Sequence, residues 1–460
     1  MNLRLALALV VSGVILCGCA TTDGPATKAD AVDPKNPFPS TYKPLPGGPT
    51  ALTGATIFTG TGEKIDNGTV LMSDGKIEAV GAGVAAPAGY TVVDARGKWI
   101  TPGVIDVHSH LGVYPSPSIQ AHSDGNEATD PNTAEVWAEH SVWPQDEGFN
   151  TARRGGVTTL QILPGSANLF GGRSVVLKNV PSRTVQGMKF PGAPYGLKMA
   201  CGENPKRVYG GKQRTPATRM GNVAGYRAAW IKAAAYAKKM KAAEAGDGAP
   251  PDRDLELETL AGVLNGEILV QNHCYRADEM AIMVDIAKEF GYKISAFHHG
   301  SEAYKVADIL AKEGICVATW AGWWGFKMES IDGIEANAAL VHAAGGCAVI
   351  HSDDAILSQR LNQEAAAALA AGRRLGLNIS EADAIRWITA NPAKMMGIAD
   401  KTGSLEAGKM ADVVLWSANP LSVYAKTEKV FVDGAVVYDR NDPNLQPKSD
   451  FMVGQPKGGE

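Results

Sequence analysis

Between residues 101 and 400 the chain alternates short apolar runs with stretches of helical period. On either side, over 50–100 and 401–440, short apolar runs alternate with turns instead. The apolar runs of the middle region end near His110, Leu163, Leu177, Cys201, His273, His299, Thr319 and His351, and helical periodicity fills 277–290, 302–313 and 362–375. Eight strands with intervening helices predict an α/β fold, a (β/α)8 TIM barrel whose reactive face is built from the C-terminal strand ends. A doubly wound open sheet is the alternative. The barrel is favoured because polar residues stand at nearly every predicted strand end, not at one crevice. Asp74-Gly75 between two apolar runs signals a hairpin. Each flank is too small to bury a core alone, so 50–100 and 401–440 are predicted to combine into a small β-sandwich domain.

The first 19 residues carry Arg4 and then an apolar stretch from Leu5 to Leu16, too short to span a bilayer and suited to the core of a secretory signal. Its end, Leu16-Cys17-Gly18-Cys19, resembles the lipobox of bacterial lipoproteins, which makes Cys19 the expected lipid anchor. The expected address is therefore a membrane-anchored lipoprotein facing the periplasm or cell exterior. Residues 20–49 read as a flexible tether and 441–460 as a C-terminal tail. A net charge of -4 supplies no basic field, which excludes a nucleic-acid partner and leaves a small-molecule substrate, with membrane contact through the anchor only and oligomer formation open. Cys201, Cys274, Cys316 and Cys347 lack the short paired spacings of a zinc knuckle or a disulfide scaffold. They read as small buried hydrophobes, with a disulfide as the alternative in an oxidising compartment.

The chemistry starts at Val104-Ile105-Asp106-Val107-His108-Ser109-His110. Side chains at i and i+2 of a strand share a face, so both imidazoles can reach one metal ion. Together with Ile100-Thr101-Pro102-Gly103, with Asn391-Pro392-Ala393-Lys394 and with the Gly-x-Leu-x-x-Gly-Lys-x-Ala-Asp stretch from Gly403 to Asp412, this segment resembles the metal-dependent amidohydrolase superfamily. Within it, the chain is most similar to the imidazolonepropionase-related branch of secreted members.

The resemblance implies metal ligands at His108 and His110, a histidine ending the fifth strand (His273) and one ending the sixth, where His298 and His299 compete. Strand alternation allows only one of these to face inward. His299, before Gly300, is expected there, with His298 packed outward. The eighth strand implies Asp353 as ligand and proton carrier, with Asp354 as fallback, and the same parity turns His351 inward as a substrate contact or cavity wall. Asp353 and His299 are thus the expected catalytic pair. On the fourth strand the implied bridging group is Lys198, turned inward between Leu197 and Met199, or Glu203 beyond it. Neutral imidazoles with a carboxylate suit zinc, one ion or two, with manganese, iron or nickel possible. Such a centre activates water for hydrolysis of a carbon–nitrogen bond in an amide, cyclic amide or dipeptide-like substrate. Arg173 and Trp323 are candidate substrate contacts. The alternatives are a deaminase or imidazolone-type ring opener and, in another class, a binding lipoprotein without turnover.

Overall fold

The computed structural model describes residues 36–446 apart from Pro117 and Trp324. The expected signal peptide with Cys19, the tether up to residue 35 and the tail beyond 446 lie outside the described residues. Residues 40–446 form the body described below. Among the described residues no helix is long and apolar enough to cross a membrane.

Five strands precede the barrel: β1 (Thr50–Phe58), β2 (Lys64–Ser73), β3 (Lys76–Ala82), β4 (Thr91–Asp94) and β5 (Trp99–Pro102). The barrel strands are β6 (Val104–Ser109), β7 (Val157–Ile162), β8 (Phe170–Lys178), β9 (Gly196–Ala200), β10 (Leu269–Cys274), β11 (Ile294–His299), β12 (Cys316–Thr319) and β13 (Cys347–Ile350). Then follow β14 (Val413–Trp416), β15 (Thr427–Val432) and β16 (Ala435–Asp439). The strands of both flanks join in one hydrogen-bonded sheet of order β16-β15-β14-β5-β1-β2-β3, with β4 also on β1. Leu52, Ile57, Val70, Met72, Val413, Leu415 and Phe431 pack together on it. The Asp74-Gly75 hairpin joins β2 to β3 with both residues at positive φ, 50° and 75°, the backbone that a two-residue hairpin turn requires.

Strands β6 to β13 lie side by side in chain order. The ring is drawn together between its first and last strands, where the Asp353 amide donates to the His108 carbonyl at 2.9 Å. This nearly closed eight-strand barrel departs from the expected alternation at one place: β8 runs antiparallel to both β7 and β9. Only residues 163–169 join β7 to β8, too few for the crossover that a parallel neighbour needs. The C-terminal end of β8 therefore lies at the opposite end of the barrel from the other strand tips. There Lys178, fully buried, pairs with Asp412 at 2.9 Å and Asp433 at 3.0 Å.

Helices α1 (Glu147–Arg154), α2 (Glu203–Gly211), α3 (Arg219–Glu244), α4 (Leu255–Leu264), α5 (Ala277–Phe290), α6 (Ala307–Lys312), α7 (Asn337–Ala343) and α8 (Leu361–Arg374) follow the strands. Leu197 and Met199 of β9 belong to the same apolar core as Trp230 of α3 and Leu260 of α4. Lys198 between them is turned the other way, into the barrel.

The cysteines correct the sequence reading. Cys201 is bonded to Cys274 and Cys316 to Cys347, so every cysteine among the described residues is paired. Each bridge joins neighbouring strands, with Cα atoms 5.2 and 4.5 Å apart, within reach of a disulfide. Spacings of 73 and 31 residues hid this, because only the lateral order of the strands makes the partners adjacent.

Candidate metal centre

The tips of β6, β9, β10, β11 and β13 bring His108, His110, Lys198, His273, His299 and Asp353 into one cluster, with His110 and Asp353 partly exposed at its mouth. His108 Nε2 and His110 Nε2 lie 3.3 and 3.2 Å from the same oxygen, Oδ1 of Asp353. The other carboxylate oxygen is 3.9 Å from His299 Nδ1. The His273 and His299 rings are 4.5 Å apart, and His108 and His299 are 4.6 Å apart. Lys198 Nζ stands 3.3 Å from His108 Nε2. Two sets of donor atoms lie within 4.8 Å of one another: His108, His110 and Asp353, and His108, His299 and His351.

Local backbone explains two placements. His299 and Asp353 both have left-handed φ, 70° and 56°, a conformation unusual for residues other than glycine. At His299 this breaks the alternation of β11, so His298 and His299 both face the interior. The expectation that His298 packs outward is thereby corrected. Its Nδ1 lies 2.9 Å from His108 Nδ1 and its Nε2 lies 2.8 Å from Gln271 Oε1.

The donor set fits a divalent cation. Burial pushes the pKa values of His108, His273 and His299 well below the usual imidazole range, and that of His351 down to about 3, so these rings are neutral. Burial raises the Asp353 carboxyl, but the polar groups around it, Lys198 among them, outweigh burial and hold the group below its ordinary value, ionised. His110 Nδ1 lies 2.8 Å from the Leu163 carbonyl, which only accepts; the proton is on Nδ1, and the Nε2 lone pair faces the carboxylate. Ser166 Oγ holds His273 Nδ1 at 2.8 Å, leaving Nε2 toward the cluster and Asn204. His299 Nδ1 and both nitrogens of His351 are buried without a hydrogen-bond partner. Buried polar atoms of this kind are costly unless a ligand satisfies them.

Lys198 is fully buried, and desolvation brings its amine down to about 7. Glu203 sits in the first turn of α2, directly after Gly202, which has a left-handed φ of 79°. Its carboxylate pairs with Lys327 at 3.1 Å, and it belongs to neither donor set. Arg173 is a further correction. It is 7% exposed, donates to Thr259 Oγ1 at 2.8 Å and lies 4.1 Å from the centre of the Trp137 ring. It is therefore held between Thr259 of α4 and the Trp137 ring and belongs to neither donor set. Trp323 stacks on Trp320 at 5.4 Å, and Trp320 stacks on His299 at 4.7 Å, so the pair forms an aromatic wall running outward from the cluster. Sequence reasoning missed Gln271 and Ser166. Gln271 was findable, since it stands two residues before His273 and shares its face.

The described family "Amidohydrolase family" matches residues 99–438, and the chain belongs to it. The chain is 32% identical over 414 residues to the amidohydrolase tasK of Hapsidospora irregularis, a match that covers 85% of this chain and 41% of that protein. It thus spans about two fifths of that relative's length. A stretch of 117 residues, 22% of this chain and 29% of the relative, is 34% identical to an imidazolonepropionase of Idiomarina loihiensis. The crystal structure of an amidohydrolase from Thermotoga maritima superposes with a TM-score of 0.78 at 36% identity, covering 85% of this chain and all (100%) of that one.

Proposed function

We propose that the chain is an exported, lipid-anchored metallohydrolase that cleaves a carbon–nitrogen bond in a small amide, a dipeptide-like or N-acyl amino-acid compound. One observation carries this reading. Two imidazole nitrogens face a single carboxylate oxygen at 3.3 and 3.2 Å, on strand tips brought together from opposite ends of the barrel sequence. A cation relieves the repulsion among such lone pairs, and zinc suits this mixture of nitrogen and oxygen donors. The residues that would hold one ion or two are His108, His110, His273, His299 and Asp353. Lys198 would act as the bridging group in carbamate form. An amine brought to about 7 is substantially uncharged at neutral pH, as addition to carbon dioxide requires. When bound, the cation acidifies a water molecule and stabilises the charge that grows on the substrate oxygen.

The protein's own groups do the rest. Asp353 accepts the proton of the attacking water and returns it to the leaving nitrogen. Trp320 and Trp323 offer a flat apolar wall beside His299, and the neutral His351 ring offers either a donor or an acceptor to the substrate. The branch resemblance to imidazolonepropionases has its support in the 117-residue match. The exported address is supported by the signal-like first 19 residues and by the two disulfides, which persist in oxidising compartments.

The test is metal analysis of the purified full chain, followed by a hydrolysis screen of dipeptides and N-acyl amino acids before and after chelation and zinc return. Bound metal with zinc-dependent amide cleavage is the expected outcome. Release of ammonia from ring amines alone selects the deaminase reading, and protein that neither binds metal nor turns over any amide is a binding lipoprotein. Cys19→Ser is expected to move the protein from the membrane fraction to the soluble one.

A further inference from the structure

Below the metal centre lies a buried polar chain that the proposed hydrolysis does not use. Gln271 on β10 and His298 on β11 have no exposed surface. Gln271 Oε1 is 2.8 Å from His298 Nε2, and His298 Nδ1 is 2.9 Å from His108 Nδ1. An amide oxygen only accepts, so the proton of the His298 ring is on Nε2 and its Nδ1 carries a lone pair. The 2.9 Å contact then requires the proton of His108 on Nδ1. His108 Nε2 is left as a bare lone pair, 3.3 Å from Asp353 and 3.3 Å from the Lys198 amine. His110 reaches the same tautomer through the Leu163 carbonyl.

We propose that Gln271 and His298 are positioning residues, a two-member relay that fixes the tautomer and ring orientation of His108 so that its Nε2 is ready for the cation. The relay rests on the metallohydrolase reading for its purpose, while its tautomers belong to the protein alone. It adds to the first-strand ligands a support that comes from two other strands, so the register between β6, β10 and β11 is written into the protonation of one nitrogen. In the reverse arrangement Gln271 donates, His298 donates in turn, and the His108 proton moves to Nε2. That places a proton where the cation belongs.

Two measurements on the full chain test this. In the metal-free protein labelled with 15N-histidine, long-range proton–nitrogen correlation spectra are expected to assign His108 as protonated on Nδ1 and His298 on Nε2. Protonation of His108 on Nε2 overturns the relay. In zinc titrations against a chromogenic chelator, His298→Phe keeps the ring volume without an acceptor. It is expected to weaken zinc binding about 10- to 100-fold, the usual effect of losing a partner of a metal-bound histidine. His298→Asn presents its oxygen where Nδ1 stood and is expected to stay within about threefold of wild type. Gln271→Leu is expected to fall between the two. Wild-type affinity in His298→Phe, or equal losses in the Asn and Phe variants, overturns the proposal. Should His298→Phe fail to fold, Gln271→Leu and the spectra decide. Wild-type protein that binds no zinc refutes the metallohydrolase reading instead, and the spectra still judge the relay.

Discussion

Removing the Cys316–Cys347 bridge tests whether the barrel is covalently stapled, as its strand order implies. The bridge joins the first residues of β12 and β13, at the end of the barrel opposite the histidine cluster, and closes a loop of 31 residues. Loop-closure entropy for that length corresponds to about 3.7 kcal/mol, a large fraction of the 5–15 kcal/mol by which most domains are stable. The double variant Cys316→Ala/Cys347→Ala, measured by equilibrium urea unfolding, is expected to lose about 3–4 kcal/mol with little change in zinc affinity. The Cys201–Cys274 bridge spans 73 residues, about 4.4 kcal/mol on the same scale, and ties together the strand tips that carry Lys198 and His273. Its removal is expected to reduce both stability and zinc affinity. Free thiols at Cys201, Cys274, Cys316 or Cys347 in unfolded, unreduced protein, or a loss below about 1 kcal/mol in the first variant, contradict the stapled barrel.

Further outcomes follow from the buried charges. In chelated protein, His108, His273, His298, His299 and His351 have folded pKa values depressed by burial below the unfolded value of 6.5. The unfolded chain therefore binds more protons below that pH, and stability falls on acidification by about 1.4 kcal/mol per pH unit for each ring. Melting of the metal-free protein at pH 7.5 and 5.5 checks the sign, and a constant or rising Tm contradicts it. Lys178→Met leaves Asp412 and Asp433 buried without their cation and is expected to cost about 3–5 kcal/mol in thermal or urea unfolding; a cost under about 1 kcal/mol contradicts the pairing. Arg173→Met loses the Thr259 hydrogen bond and the Trp137 contact, an expected cost of about 1–3 kcal/mol with unchanged KM. A raised KM at full stability restores the substrate role that the structure denies it.

Much of the fold was legible because periodicity and strand ends carry it. The apolar run before His108 and the run before His273 each placed a histidine of the cluster at a strand tip, and the Asp74-Gly75 signal located its hairpin. Direction was not legible, since β8 reads the same forward or reversed and only the short 163–169 connection distinguishes the two. Alternation predicted the inward turn of Lys198 between Leu197 and Met199 correctly. It failed at His298, because a left-handed residue at the strand end changes the side-chain sequence without changing the hydrophobic pattern. Arg173 and the cysteines were misread for a common reason: their partners, Thr259 and the neighbouring strands, are distant in sequence and become adjacent only once the barrel closes.

His108, His110 and Asp353 are proposed to converge on a cation that the hydrolysis requires. Metal content per chain by mass spectrometry, measured for wild type and for His110→Ala and Asp353→Asn beside amide turnover, tests it most directly. Wild type is expected to hold one or two equivalents of transition metal, His110→Ala to be depleted of it, and Asp353→Asn to turn over at least about 100-fold more slowly. Undiminished turnover in fully metal-stripped wild-type protein contradicts it, as does metal content that neither substitution lowers while turnover stays intact.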